Sequence, residues 1–167
     1  QLALELACWG AQDATSLAWL DPPPAATLAQ ARELLVRLEA LDARGQVTEA
    51  GRRMARLGVH PRLAHMILRG ARLGLGGLAC EMAALLAERD PLRSSPSVRD
   101  PDLRHRLDVL HGAPPPPGLS VDHGVLQRVK RAAQQIERQA SRITEAADAR
   151  APRLSSDEAT GLLLAFA

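Results

Sequence analysis

A chain of 167 residues, 46% of them apolar, can bury one ordinary core or two small ones. Its 21 Lys and Arg stand against 19 Asp and Glu, a net charge of +2 that excludes a histone-like or tail-type polyanion binder and confines any basic footprint to a local surface. Tyrosine is absent and the aromatics are Trp9, Trp19 and Phe166, which excludes a platform that stacks single-stranded bases.

In chain order, residues 2–9 and 14–20 read as short helical stretches closed by Asp21-Pro22-Pro23-Pro24. The apolar positions Leu28, Ala31, Leu34, Leu35, Leu38 and Leu41 recur at three and four residues and predict a helix over 27–41, starting near Ala25. Its other face alternates acid with base. Leu41 to Thr48, with Gly45, suggests a small β-hairpin, and Thr48 is placed to cap a helix beginning at Glu49. After Gly58 the pattern is wholly helical. Pro61 opens a helix that runs to Leu73, and a nearly all-apolar helix, Leu78 to Arg89, is expected at the centre of a bundle. Residues 93–100 read as a loop, 102–110 as a helix, and Gly112 to Gly118 as a polyproline spacer. A long amphipathic helix, 121 to about 149, and a last one from Ser155 complete the chain. The expected fold is mainly α: a winged-helix domain with a small β-hairpin over 1–57, then a helical bundle over 58–167.

Cys8 and Cys80 are far apart and outside any C-x-x-C pattern, so both read as small buried hydrophobes in a reducing cytoplasm. Trp9 and Trp19 lie on apolar stretches and are expected in the core. No run reaches the roughly 18 apolar residues of a membrane span, and no secretory signal opens the chain, so no membrane partner is expected. The apolar start without Met and the closing Gly-Leu-Leu-Leu-Ala-Phe-Ala read as cut from a longer protein.

Four blocks carry a family resemblance. They are Trp19-Leu20-Asp21-Pro22-Pro23; Leu38 to Asp42 leading to Val47-Thr48-Glu49-Ala50-Gly51-Arg52-Arg53-Met54-Ala55; His60 to Met66; and Ala83 to Pro91. In this order and spacing the series resembles the region that follows the second RecA-like domain in DEAH/RHA helicases. The opening Leu-x-Leu-x-Cys-Trp-Gly and the late arginine-bearing helix are most similar to the bacterial HrpB branch. The resemblance implies a winged helix packed on the RecA-like core of the same parent chain, and a helical, ratchet-like domain closing one side of a nucleic-acid channel. It further implies a parent that hydrolyses ATP with Mg²⁺ in its core. The chain itself holds no G-x-x-x-x-G-K-[ST] loop and no Asp-Glu-Ala-His box, so it is expected to bind no cofactor and to catalyse nothing.

Projected at about 100° per residue, Arg128, Arg131, Gln135, Arg138 and Arg142 fall within roughly 80° on the long helix, with Val125, Val129, Ile136, Ala140, Ile143 and Ala147 in a separate stripe. Such a row suits successive phosphates of a single strand. Twenty of the 21 basic residues are arginine, so the pattern alone is also compatible with a solvated face, partly neutralised by Glu145 three residues after Arg142; the resemblance favours phosphate contact. Arg62, after His60-Pro61, is a further candidate for a carboxylate or a phosphate. His60 and His65 are five apart, and His105 and His111 six, spacings that do not make a zinc helix. A free-standing winged-helix regulator would need a basic recognition helix, which 27–41 is not. A coiled-coil adaptor would need an unbroken apolar seam, and Gln139 interrupts it. A monomeric fragment is expected.

Overall fold

Caps, prolines and left-handed glycines divide the chain into eight helices and one two-stranded sheet among the residues described by the computed structural model, 1–11, 17–94, 100–143 and 155–167. Two compact units result, Gln1–His65 and Met66–Ala167. The 57/58 boundary read from the sequence falls just before α4.

In the first unit, α1 (Leu2–Cys8) packs on α2 (Ala25–Arg37) and α3 (Glu49–Arg56). Ala3, Leu4, Leu6, Leu28, Leu35, Leu41, Met54 and Leu57 supply the core. The expected 27–41 helix ends early, because Glu39 takes a left-handed backbone with φ 57°. The Ala40 N–H then donates to the Leu35 carbonyl at 2.8 Å and the Glu39 N–H to Val36 at 2.9 Å, a Schellman closure. Leu38 and Leu41 stay buried although they lie beyond the helix. The expected hairpin is a single antiparallel bridge, Leu41 to Val47, around a turn in which the Asp42 carboxylate accepts from the Arg44 and Gln46 N–H groups at 2.8 Å each. The Thr48 hydroxyl accepts from the Gly51 N–H at 3.0 Å and donates to the Glu39 carbonyl at 2.6 Å, so the expected cap also fastens α3 to the end of α2.

Three expectations in this unit are corrected. Residues 17–20 are not helical, as suits a segment running into three consecutive prolines, and 12–16 lie outside the described residues. Trp9 is 76% exposed, since α1 stops at Cys8 and Gly10, with φ 81°, turns the chain away. Cys8 is exposed as well. Trp19 is half-buried.

The helix α4 (Pro61–Arg72) runs from the first unit into the second. Met66 and Ile67 are fully buried, and Gly70 meets α5 (Gly76–Ala87) and α8 (Ser156–Phe166): a Cβ there would lie 2.9 Å from Ala79 Cβ and 2.8 Å from Leu163 Cδ2. The apolar α5 packs chiefly on α7 (His123–Ala140), and Ala79, Cys80, Met82, Ala83, Ala84 and Leu85 are buried. Its wrapping is incomplete. Leu86, on the same face as Met82 but in the last turn, is 46% exposed. The stretch expected as a loop begins with a strand, β1 (Leu92–Ser94), paired antiparallel with β2 (Leu119–Val121); 95–99 lie outside the described residues.

The helix α6 (Leu103–Leu110) starts at Asp102, whose carboxylate accepts from the Arg104 N–H at 3.0 Å. Arg106 bonds Asp90 at 2.8 Å, just after α5, and lies 3.5 Å from Asp100, which also holds the His105 ring at 2.5 Å. Arg104 reaches Asp157 of α8 at 3.1 Å, and the expected start of α8 is a full capping box between Ser155 and Glu158.

Candidate nucleic-acid interface

The arginine row depends on where α7 starts and which side is buried. Asp122 sets the start: its Oδ1 accepts from the Val125 N–H at 3.1 Å, while Arg93 of β1 holds Oδ2. These contacts bring the Asp122 carboxyl down to about 2, the Arg93 hydrogen bond being the larger cause. The helix thus begins two residues later than expected, because 119–121 belong to β2. An aspartate before the first helical turn is a recognised start signal, legible in the sequence but not used there.

Val125, Leu126, Val129, Ala133, Ile136 and Ala140 are buried against the bundle. Leu126 and Ala133 widen the stripe read from the sequence, Ile143 is half-buried at its edge, and Ala147 lies outside the described residues. On the helical projection the centre of this buried side is about 150° from the centre of the arginine sector. Arg128, Arg131, Gln135, Arg138 and Arg142 are all exposed. Arg128, Arg131 and Arg138 stand on the regular helix. Arg142 follows its end, in a turn where its N–H donates to the Gln139 carbonyl at 3.2 Å, so the described helix stops at Ala140 and 144–149 lie outside the described residues. Arg131 Nε donates to the Gln127 carbonyl at 3.3 Å. Among the described residues no carboxylate pairs with Arg128, Arg131, Arg138 or Arg142. From His123 to Ile143 there are five basic residues (these four and Lys130) and one acidic, Glu137, so a local charge of +4 exceeds the +2 of the entire chain.

Lys130 faces another way. With Glu81, Glu137 and Cys80 it lines a groove of about 210 Å³ between α5 and α7. There the Cys80 thiol is pushed up to about 12, by burial first and then by Glu137 and Glu81, which leaves it protonated and unreactive. Arg62 is exposed in the first turn of α4, in the part of that helix belonging to the first unit, apart in the chain from the four arginines of α7. Its backbone N–H donates to the His60 ring at 3.3 Å, and burial together with the positive charge of Arg62 lowers the pKa of His60. The histidines are dispersed in this way: His60 at a helix start, His105 on Asp100, His111 on Glu81 at 3.0 Å. Among the described residues no group of His, Cys, Asp and Glu is arranged to hold a metal ion, and no helix is long and apolar enough to cross a membrane.

Residues 31–59 match the helicase associated domain (HA2), winged-helix. Over 87 residues the chain is 38% identical to the ATP-dependent RNA helicase HrpB of Escherichia coli (strain K12), covering 52% of this chain and 11% of that protein. Over 84 residues it is 33% identical to the pre-mRNA-splicing factor ATP-dependent RNA helicase prp22 of Schizosaccharomyces pombe, covering 50% of this chain and 7% of that one. The matched stretches therefore make up about a tenth of the length of these relatives. Among solved structures, the E. coli DExH-box NTPase HrpB superposes with a TM-score of 0.66 at 27% identity, and the Escherichia coli DEAH/RHA helicase HrpB with 0.67 at 29%. Each comparison covers 99% of this chain and 17% of the other. With the winged-helix segment matched by sequence and the fold shared along nearly the whole length, the chain is similar to the helicase-associated (HA2) region of the HrpB-type DEAH/RHA helicases.

Proposed function

We propose that this region is the non-catalytic part of an ATP-dependent nucleic-acid helicase that holds the backbone of a single strand while a RecA-like core in the same parent chain binds ATP and Mg²⁺. In this reading the winged-helix domain, 1–57, packs on that core, and the helical domain, 58–167, presents Arg128, Arg131, Arg138 and Arg142 to successive phosphates. Arg62 serves as an accessory contact. The fragment itself takes no cofactor and is monomeric, and the parent works in the cytoplasm.

One observation carries the reading: the exposed guanidiniums of Arg128, Arg131 and Arg138 share one side of α7, whose opposite side is buried, and that of Arg142 follows in the turn after its end, so the row on the helix is held in one direction. Guanidiniums bind phosphate oxygens in a forked, charge-assisted geometry. The two relatives, RNA helicases in both cases, support the nature of the polymer.

The test compares two variants in the full-length parent, one with all four row arginines changed to Ala and one with Arg32, Arg37 and Arg44 changed to Ala. The first should lose most strand binding and unwinding, and the second should retain them. Equal activity of the first variant and the wild type, or a larger loss from the second, overturns the proposal.

A further inference from the structure

A row made only of guanidiniums treats RNA and DNA alike, because phosphate is common to both. The row on α7 is interrupted. Between Arg131 and Arg138 the exposed residue that faces the same way is Gln135, and of the four glutamines on the helix it alone falls inside the arginine sector. At about 1.5 Å per residue it stands about 6 Å beyond Arg131 and about 4.5 Å short of Arg138. If those two arginines meet neighbouring phosphates, the group that lies opposite Gln135 is the sugar between them.

The chemistry of the two groups matches. A glutamine amide offers two donors and a carbonyl acceptor, and a ribose 2′-hydroxyl is at once donor and acceptor. Deoxyribose has neither. Among the described residues no protein group engages the Gln135 amide, and the side chain is exposed, so nothing in the bundle requires this residue type at this position. An arginine there would add attraction for both polymers without distinguishing them.

We infer that Gln135 is a sugar-sensing contact that biases the arginine row toward RNA over DNA. The inference rests on the proposal that the row meets phosphates, and the two are separable by experiment. The 167-residue chain is titrated at low salt with oligouridylate and with oligodeoxyuridylate of the same length, which differ only at the 2′ position. The wild type should prefer the RNA. In Gln135→Leu, RNA affinity should fall about 3- to 10-fold, the effect of one lost hydrogen bond, while DNA affinity stays within about twofold. Gln135→Arg should strengthen both and erase the difference. A wild type without preference, or a Gln135→Leu variant of unchanged circular dichroism that keeps the preference, overturns the inference. If the four-arginine Ala variant also loses both polymers, the phosphate reading survives that result; if it binds both as the wild type does, the phosphate reading fails too.

Discussion

Arg93 grips Asp122 through two nitrogens, Nε at 3.2 Å and Nη2 at 2.5 Å from the same carboxylate oxygen, while the other oxygen caps α7. One aspartate thus ties β1 to the start of the helix that bears the arginine row. Its folded pKa, about 2, lies below the ordinary 3.8. The stabilisation is therefore complete above about pH 4 and disappears as the pH falls toward 2. Melting temperatures measured between pH 2 and 5 should drop less steeply for Asp122→Asn than for the wild type. Parallel curves would show that the pair does not contribute. Asp102, also near 2 through its contacts with Arg104, adds a parallel acid-labile contribution that this variant leaves in place.

Gly51 should tolerate no side chain. A Cβ there would stand 2.1 Å from the Ala40 carbonyl oxygen, a backbone atom held in place by the Thr48 N–H at 3.0 Å. Gly51→Ala is expected to cost about 1–3 kcal/mol or more through forced backbone movement. A variant that unfolds at the same urea concentration as the wild type would mean that α3 shifts freely against the end of α2.

The two neighbouring leucines of α5 should separate. Leu85 is 6% exposed and Leu86 46%, so Leu85→Ala should cost about 2–5 kcal/mol by leaving a cavity, whereas Leu86→Ala should cost well under half of that. Denaturant melts of the two variants settle the order, and equal losses would place Leu86 inside the core.

Binding through the row should be weak and salt-dependent. For the fragment alone a Kd on the order of 10⁻⁴ to 10⁻⁶ M is expected, as for non-specific binding. If four arginines meet one strand, log K against log salt should have a slope of about −3, and each single Arg→Ala change should make it shallower by roughly 0.7. A slope that stays constant across the four single variants would show that the counterions come from elsewhere.

The elements legible in the sequence are those decided within a few residues. Thr48 and Ser155 cap helices because a side-chain oxygen reaches an N–H three residues on, and the arginine row follows from the period of a single helix. The family blocks are likewise strings of adjacent residues. What tertiary structure decided are relations between distant positions. Glu39, not a glycine, ends α2 in a left-handed turn, with the hydroxyl of Thr48, nine residues away, donating to its carbonyl. β1 pairs with β2 across the whole of α6, and no local pattern encodes such a partner. Trp9 and Leu86 are apolar yet exposed, because burial depends on what the rest of the chain lays over a residue, not on the residue itself.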